Sequence, residues 1–124
     1  MEHGDYSISL DGNMIIVRVS GGFNEYGVRK LKNEIESIVK HLKDGRFSLL
    51  FNYLEVEGGT PEAFLELNKA SLWLNAQNLI AFATVSKSRY HMDLLKQKVP
   101  DRKSNAITNF DNEVDAVNWL KKQS

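Results

Sequence analysis

From Tyr6 the chain alternates: Tyr6, Ile8 and Leu10 fall on one side of an extended segment and Ser7 and Ser9 on the other, the two-residue period of a half-buried strand. Asp11-Gly12 follows, a pair that tolerates the positive φ of a tight hairpin, and Met14 to Val19 reads as a β-branched second strand antiparallel to the first. The period then changes. Gly21-Gly22 breaks the strand and Asn24 offers a helix cap. Val28, Leu31, Ile35, Ile38, Val39 and Leu42 recur at helical spacing to about Lys43, and Asp44-Gly45 ends the run. Phe47 to Leu54 is continuously apolar, which predicts a central strand buried on both sides.

Thr60 and Pro61 announce the next helix, a side-chain cap followed by the one residue whose missing N–H costs nothing in the first turn; it runs to about Asn75. Leu79 to Val85 reads as another buried strand, Ser88 to Lys98 as a weaker amphipathic helix, and Asn105 to Phe110 as a short strand. Asp111 to Lys122 closes the pattern as a helix with Val114, Val117 and Leu120 inward. The order β-β-α-β-α-β-α-β-α predicts an α/β fold, an N-terminal hairpin continued by mostly parallel strands in one mixed sheet. Tyr6, Ile8, Ile15, Val17, Val19, Phe47, Leu49, Phe51 and Tyr53 share one face of that sheet. Ser7, Ser9, Arg18, Ser48 and Asn52 share the other, so helices should cover the first face more fully.

Length and composition limit the interpretations. With 124 residues and 42% hydrophobic content the chain suits one domain with one core. Sixteen Lys and Arg balance sixteen Asp and Glu, so no whole-molecule field gathers nucleic acid or an acidic membrane. Cysteine is absent, which excludes disulfides, thiolate ligands and a cysteine nucleophile. The first residues lack the basic start and apolar run of a signal peptide, and no stretch approaches the roughly 20 apolar residues of a membrane span; the cytoplasm is the default expectation.

No motif assembles a reactive centre. His3, His41 and His91 lack the paired spacing of helical metal ligands; Asp44 follows His41 by three residues, but across a helix end. Tyr90, His91 and Asp93 point in different directions along a helix, no Ser sits in a nucleophile elbow, and Gly21-Gly22 and Gly58-Gly59 read as turns rather than phosphate loops. No catalytic residue, metal or cofactor is expected.

The second helix stands out. Ala63, Phe64, Leu67, Ala70 and Leu74 supply one apolar stripe, and Leu65, Leu72 and Trp73 carry it round the cylinder further than one contact face needs. If exposed, those three form an aromatic-centred patch that a protein partner or a second copy would cover. Glu55, Glu57, Glu62 and Glu66 surround the start of this helix, while Lys87, Arg89, Lys96, Lys98, Arg102 and Lys103 enrich the third helix and its exit. Loops at the carboxyl ends of parallel strands gather at one edge, so Thr60 should neighbour Ser86 to Arg89, where Lys87 and Arg89 offer contacts for an anion. Nucleic acid is disfavoured: Tyr90 is the one aromatic in the basic stretch, and the acidic cluster beside it repels a phosphate backbone.

The element order, with Gly58-Gly59-Thr60-Pro61 between the central strand and the second helix and Ala116-Val117-Asn118-Trp119-Leu120 in the last, resembles the SpoIIAA-like domains of the STAS family, closest to a subgroup of small stand-alone bacterial proteins of unassigned role. In the better-known antagonists of that family the turn carries an Asp-Ser phosphoacceptor; here Thr60 is the only hydroxyl, so the resemblance makes it a phosphoacceptor candidate beside its ordinary work as a cap. The resemblance implies a non-enzymatic interaction or regulatory module, with a homodimer as one way to cover the second helix. The alternative is a carrier of a small apolar ligand or lipid, with Phe64, Leu67, Trp73 and Leu94 lining a cavity; an enzyme is the third reading.

Overall fold

The computed structural model describes residues 3–99 and 107–123. Strand β1 (Asp5–Asp11) pairs antiparallel with β2 (Met14–Phe23), Leu10 opposite Ile15 and Asp11 opposite Met14. The two-residue turn is therefore Gly12-Asn13, one residue later than the sequence suggests, with the positive φ at Gly12. Strands β3 (Arg46–Gly59), β4 (Asn78–Val85) and β5 (Ile107–Phe110) add in parallel, giving the order β1-β2-β3-β4-β5. The sheet is mixed, as the strand patterning predicts. Residue 105, where the last strand was expected to begin, lies outside the described residues, as do Arg102 and Lys103.

Because spatial order follows chain order, crossovers of one hand put all their helices on one side. Helices α1 (Glu25–Lys40), α2 (Pro61–Asn75) and α3 (Arg89–Lys98) are those crossovers, and α4 (Glu113–Gln123) follows β5. The larger core lies under the crossover helices: Ile15, Val17, Val19, Phe47, Leu49 and Phe51 pack against Val28, Leu31, Ile35 and Val39 of α1 and Ala63 and Leu74 of α2. A smaller core lies on the opposite face, where Met14, Ile16, Leu50, Ala83 and Val85 meet Ala116 and Leu120 of α4. One face is thus covered more fully, as the strand patterning requires.

The glycine pairs depart from expectation. Neither is a turn: β2 runs through Gly21-Gly22 and β3 through Gly58-Gly59, and the pairs lie side by side, Gly22 opposite Gly58 and Phe23 opposite Gly59. The register shifts twice along this stretch, with positive φ at Gly21 (75°) and Gly58 (142°), the conformations glycine admits at little cost. Glycine here bends a pair of strands rather than ending them. Glu55 and Glu57 consequently sit on an extension of β3 beyond the end of its pairing with β4, on the approach to α2. Helix α1 also ends earlier than its periodicity suggests, at Lys40, because Leu42 has already left the helical conformation.

Candidate functional site

Helix α2 starts where its sequence says. Thr60 is its N-cap, with Oγ1 accepting from the Ala63 N–H at 3.1 Å, while the Thr60 N–H donates to the Phe23 carbonyl at 2.9 Å and ties the helix start to the end of β2. The Thr60 side chain is exposed, as are Glu55, Glu57 and Glu62 around it. Farther along, Leu65 (64% exposed) and Leu72 (51%) lie seven residues apart, nearly above one another, on the outer side of the helix. Trp73 does not share that stripe; it is half-buried and packs against the larger core.

Polar contacts hold α2 to its neighbour. Glu66 accepts from Arg29 of α1 at 2.9 Å and from Lys69 at 3.3 Å, and the Arg29 hydrogen bond above all holds the Glu66 carboxyl below the usual carboxylate range. The inner side of α2 is packed loosely. Between α1, α2, α3 and the sheet lies an apolar pocket of about 90 Å³, bordered by Phe51, Tyr53, Phe64, Leu67, Leu94 and His91. A second apolar pocket of about 40 Å³ lies beside it under α2, sharing Phe51, Tyr53 and Leu67, with Trp73 in its wall. Phe64, Leu67 and Leu94 thus border the first pocket and Leu67 and Trp73 the second; His91 and the backbone of Gly58 and Gly59 join the first, which sequence spacing did not signal.

Gly58, Gly59 and His91 border the same pocket, so the start of α2 and the first turn of α3 lie at one rim. Ser88 caps α3, with Oγ accepting from the His91 N–H at 3.1 Å, and Ser86 Oγ accepts from the Ser88 N–H at 3.1 Å. Lys87 and Arg89 are exposed and border a separate mixed cleft of about 350 Å³ over the ends of β4 and β5, which shares no lining residue with the apolar pocket. Thr84 donates to Asn109 Oδ1 at 2.7 Å and Asn109 Nδ2 donates to the Ser86 carbonyl at 3.2 Å, so the polar groups at its base are mutually satisfied.

Another cluster has no local sequence signal. Arg18 of β2 donates through Nε (3.0 Å) and Nη2 to the Glu113 carboxylate, which also accepts from Asn52 of β3 at 2.8 Å. Its Arg18 hydrogen bond depresses the Glu113 pKa, and the pair fixes the start of α4 to the polar face of the sheet. Among the described residues no three His, Asp or Glu side chains converge as metal ligands, and no helix is long and apolar enough to cross a membrane.

By sequence, the chain matches no protein-family model and no curated protein. By structure it is similar to an uncharacterised DUF3478-family protein with a SpoIIAA-like fold from Shewanella loihica PV-4, at TM-score 0.68 and 14% identity over 97% of this chain and 95% of that one. It is similar also to the unphosphorylated anti-sigma factor antagonist SpoIIAA, at TM-score 0.65 and 9% identity over 94% of this chain and 98% of that one. A third likeness is to an anti-sigma factor antagonist from Mycobacterium paratuberculosis, at TM-score 0.64 and 14% identity over 96% and 95% of the two chains.

Proposed function

Proceeding from a SpoIIAA-like, STAS-type fold, we propose that this protein is a non-enzymatic regulatory module that docks a protein, a distinct partner or a second copy of itself, through the outer side of α2. The observation that carries this reading is the exposure of Leu65 and Leu72 on a helix whose start and flank are fixed by the Thr60 cap and the Arg29–Glu66 ion pair. Two leucines in register on a rigid helix present an apolar anchor without an ordering cost at docking.

Thr60 is the switch in this reading. A phosphate on its Oγ1 places about two negative charges at the N-terminus of α2, where the helix dipole and the N–H groups of the first turn favour an anion. Glu55, Glu57 and Glu62, exposed around that helix start, oppose it, and Lys87 and Arg89, exposed at the start of α3, are the counter-charges this reading assigns to it. The modification therefore changes the charge of the docking edge more than the helix itself.

The test is site-specific photocrosslinking. A photoreactive residue in place of Leu72 should give one defined adduct, with itself or with one other protein, and Thr60→Glu should change its yield severalfold. The same residue in place of Val114 is the control: on α4 it is 69% exposed rather than inward as its spacing suggests, because Ala116 and Leu120 are the residues that turn to the core. Equal, unspecific adducts from both positions would refute docking at α2, and an unchanged yield in Thr60→Glu would remove the switch.

A further inference from the structure

We infer that the outer edge of β1 is a self-pairing surface: two copies of this chain join β1 to β1, antiparallel across a two-fold axis at Ser9, into one continuous sheet with five strands from each copy. This inference does not rest on docking at the outer side of α2, because the two surfaces share no residue.

The two rims of the sheet are guarded differently. Strand β5 is a four-residue edge, too short to template much pairing, whereas β1 is seven residues long and keeps an unbroken register with β2. Between Asp5 and Asp11 it carries no charge, proline, glycine or bulge, the devices that keep edge strands from pairing. Among the described residues β1 pairs with β2 alone. Asp11 and Met14 close the two-residue turn as a hydrogen-bonded pair, so bonds to β2 recur at Ser9 and Ser7, and the N–H and C=O groups of Ile8 and Leu10 point the other way, to the rim.

An apolar row reaches the same rim. Tyr6, Ile8 and Leu10 lie opposite Val19, Val17 and Ile15 on the crossover-helix face, yet the helices leave that row partly open: Tyr6 and Ile8 are half-buried and Leu10 is 51% exposed. Outward backbone groups beside an open apolar row fit an added strand.

Charge and shape select β1 itself and the register. With Ile8 at the axis, Asp5 of each copy would face Asp11 of the other, two like-charge pairs directly opposite. With Ser7 at the axis, Leu10 would face Gly4, whose φ of 106° has left the strand, and would stay bare. With Ser9 at the axis, Ile8 of each copy faces Leu10 of the other in a hydrogen-bonded pair, Asp11 faces the Ser7 hydroxyl and Asp5 the Asn13 amide, so each carboxylate meets a donor and Leu10 is covered. This arrangement closes as a dimer, whereas β1 on β5 would propagate an open chain.

The chain has no cysteine, so single cysteine substitutions report the register. Residue 9 meets its own mate in a non-hydrogen-bonded pair with Cα atoms about 4.5 Å apart, within disulfide range. Ser9→Cys should therefore form a covalent dimer under mild oxidation about tenfold faster than Ser7→Cys, whose thiol faces Asp11. In sedimentation the wild type should run as a dimer that dissociates on dilution. Ile8→Pro, which removes an outward N–H and spares the β2 ladder, should run as a monomer, and Leu65→Glu with Leu72→Glu should stay dimeric. If Ile8→Pro does not fold by circular dichroism, Leu10→Lys, which sets a cation against Ile8 of the other copy, carries the same expectation. A wild type that stays monomeric up to its solubility limit, a dimer that survives the β1 substitution or is lost with the α2 pair, or linking at residue 7 as fast as at residue 9 would overturn the pairing.

Discussion

Helices α1 and α2 pack side by side over the same face of the sheet and are of nearly equal length, yet they are bound to it by different means. Helix α1 buries Val28, Leu31, Ile35 and Val39, one inward residue per turn, and faces solvent with Arg29, Lys30, Asn33 and Glu34. Helix α2 is apolar around much of its circumference but fully buries only Ala63, Ser71 and Leu74. Leu67 borders a pocket and Leu65 and Leu72 face outward. A helix whose aliphatic residues all serve the core, with only Tyr26 half-exposed beneath Arg29, is scaffold. One that keeps apolar residues on two further sides has surface left for something else, and α2 carries both the exposed leucine stripe proposed for docking and the pocket roof.

The difference predicts a large asymmetry in truncation. Ile35→Ala removes a side chain only 5% exposed and leaves a cavity, so it should cost about 3 kcal/mol. Leu72→Ala removes a half-exposed side chain and should stay within about 0.5 kcal/mol. Urea unfolding of the two variants measures both values; comparable losses would mean that α2 is as much scaffold as α1.

The caps of the two helices come next in size. Asn24 Oδ1 accepts from the Gly27 N–H at 3.0 Å and from the His3 N–H at 2.9 Å, so it closes α1 and also pins the chain that crosses the helix start. Gly27 permits that crossing, since a Cβ there would lie 2.1 Å from the His3 carbonyl oxygen. Thr60 caps α2 through a single bond to Ala63. Thr60→Ala should cost about 1 kcal/mol, and Asn24→Ala more than that because two donors lose their acceptor. Thermal unfolding ranks them; the reverse order would mean that the N-terminal crossing contributes nothing.

What was legible in the sequence follows from the range of each signal. Both caps and the Pro61 start are local chemistry and could be read directly, as could the division of strand residues between the two faces, which needs only a two-residue period. The glycine pairs misled because a break and a bulge look alike along one chain. Gly22 finds Gly58 across a parallel ladder, and that partner is invisible to any window around residue 22. Arg18 and Glu113 are 95 residues apart, and only the position of α4 on the polar face brings them together. Trp73 was ambiguous for another reason: helical periodicity puts it beside Leu72, and whether it turns toward solvent or core depends on the space left under α2.

The smallest effect concerns what joins the two helices. If α2 is held at its flank by polar contacts rather than by apolar burial, the Arg29–Glu66–Lys69 cluster should be visible in the pH dependence of stability. Glu66 has a lowered pKa in the folded chain, chiefly through the Arg29 hydrogen bond, so its contribution is complete above the ordinary carboxylate value of about 4.3 and is lost as pH falls through the lower folded value. Glu66→Gln should therefore weaken the protein slightly at neutral pH, by less than the loss of the Thr60 cap, and flatten the acid limb of its stability curve below about pH 4. Arg29 and Lys69 face water, so about 1 M salt should shrink the difference between wild type and variant. An acid limb as steep in Glu66→Gln as in wild type would assign the join between α1 and α2 to apolar contact and remove the contrast between them.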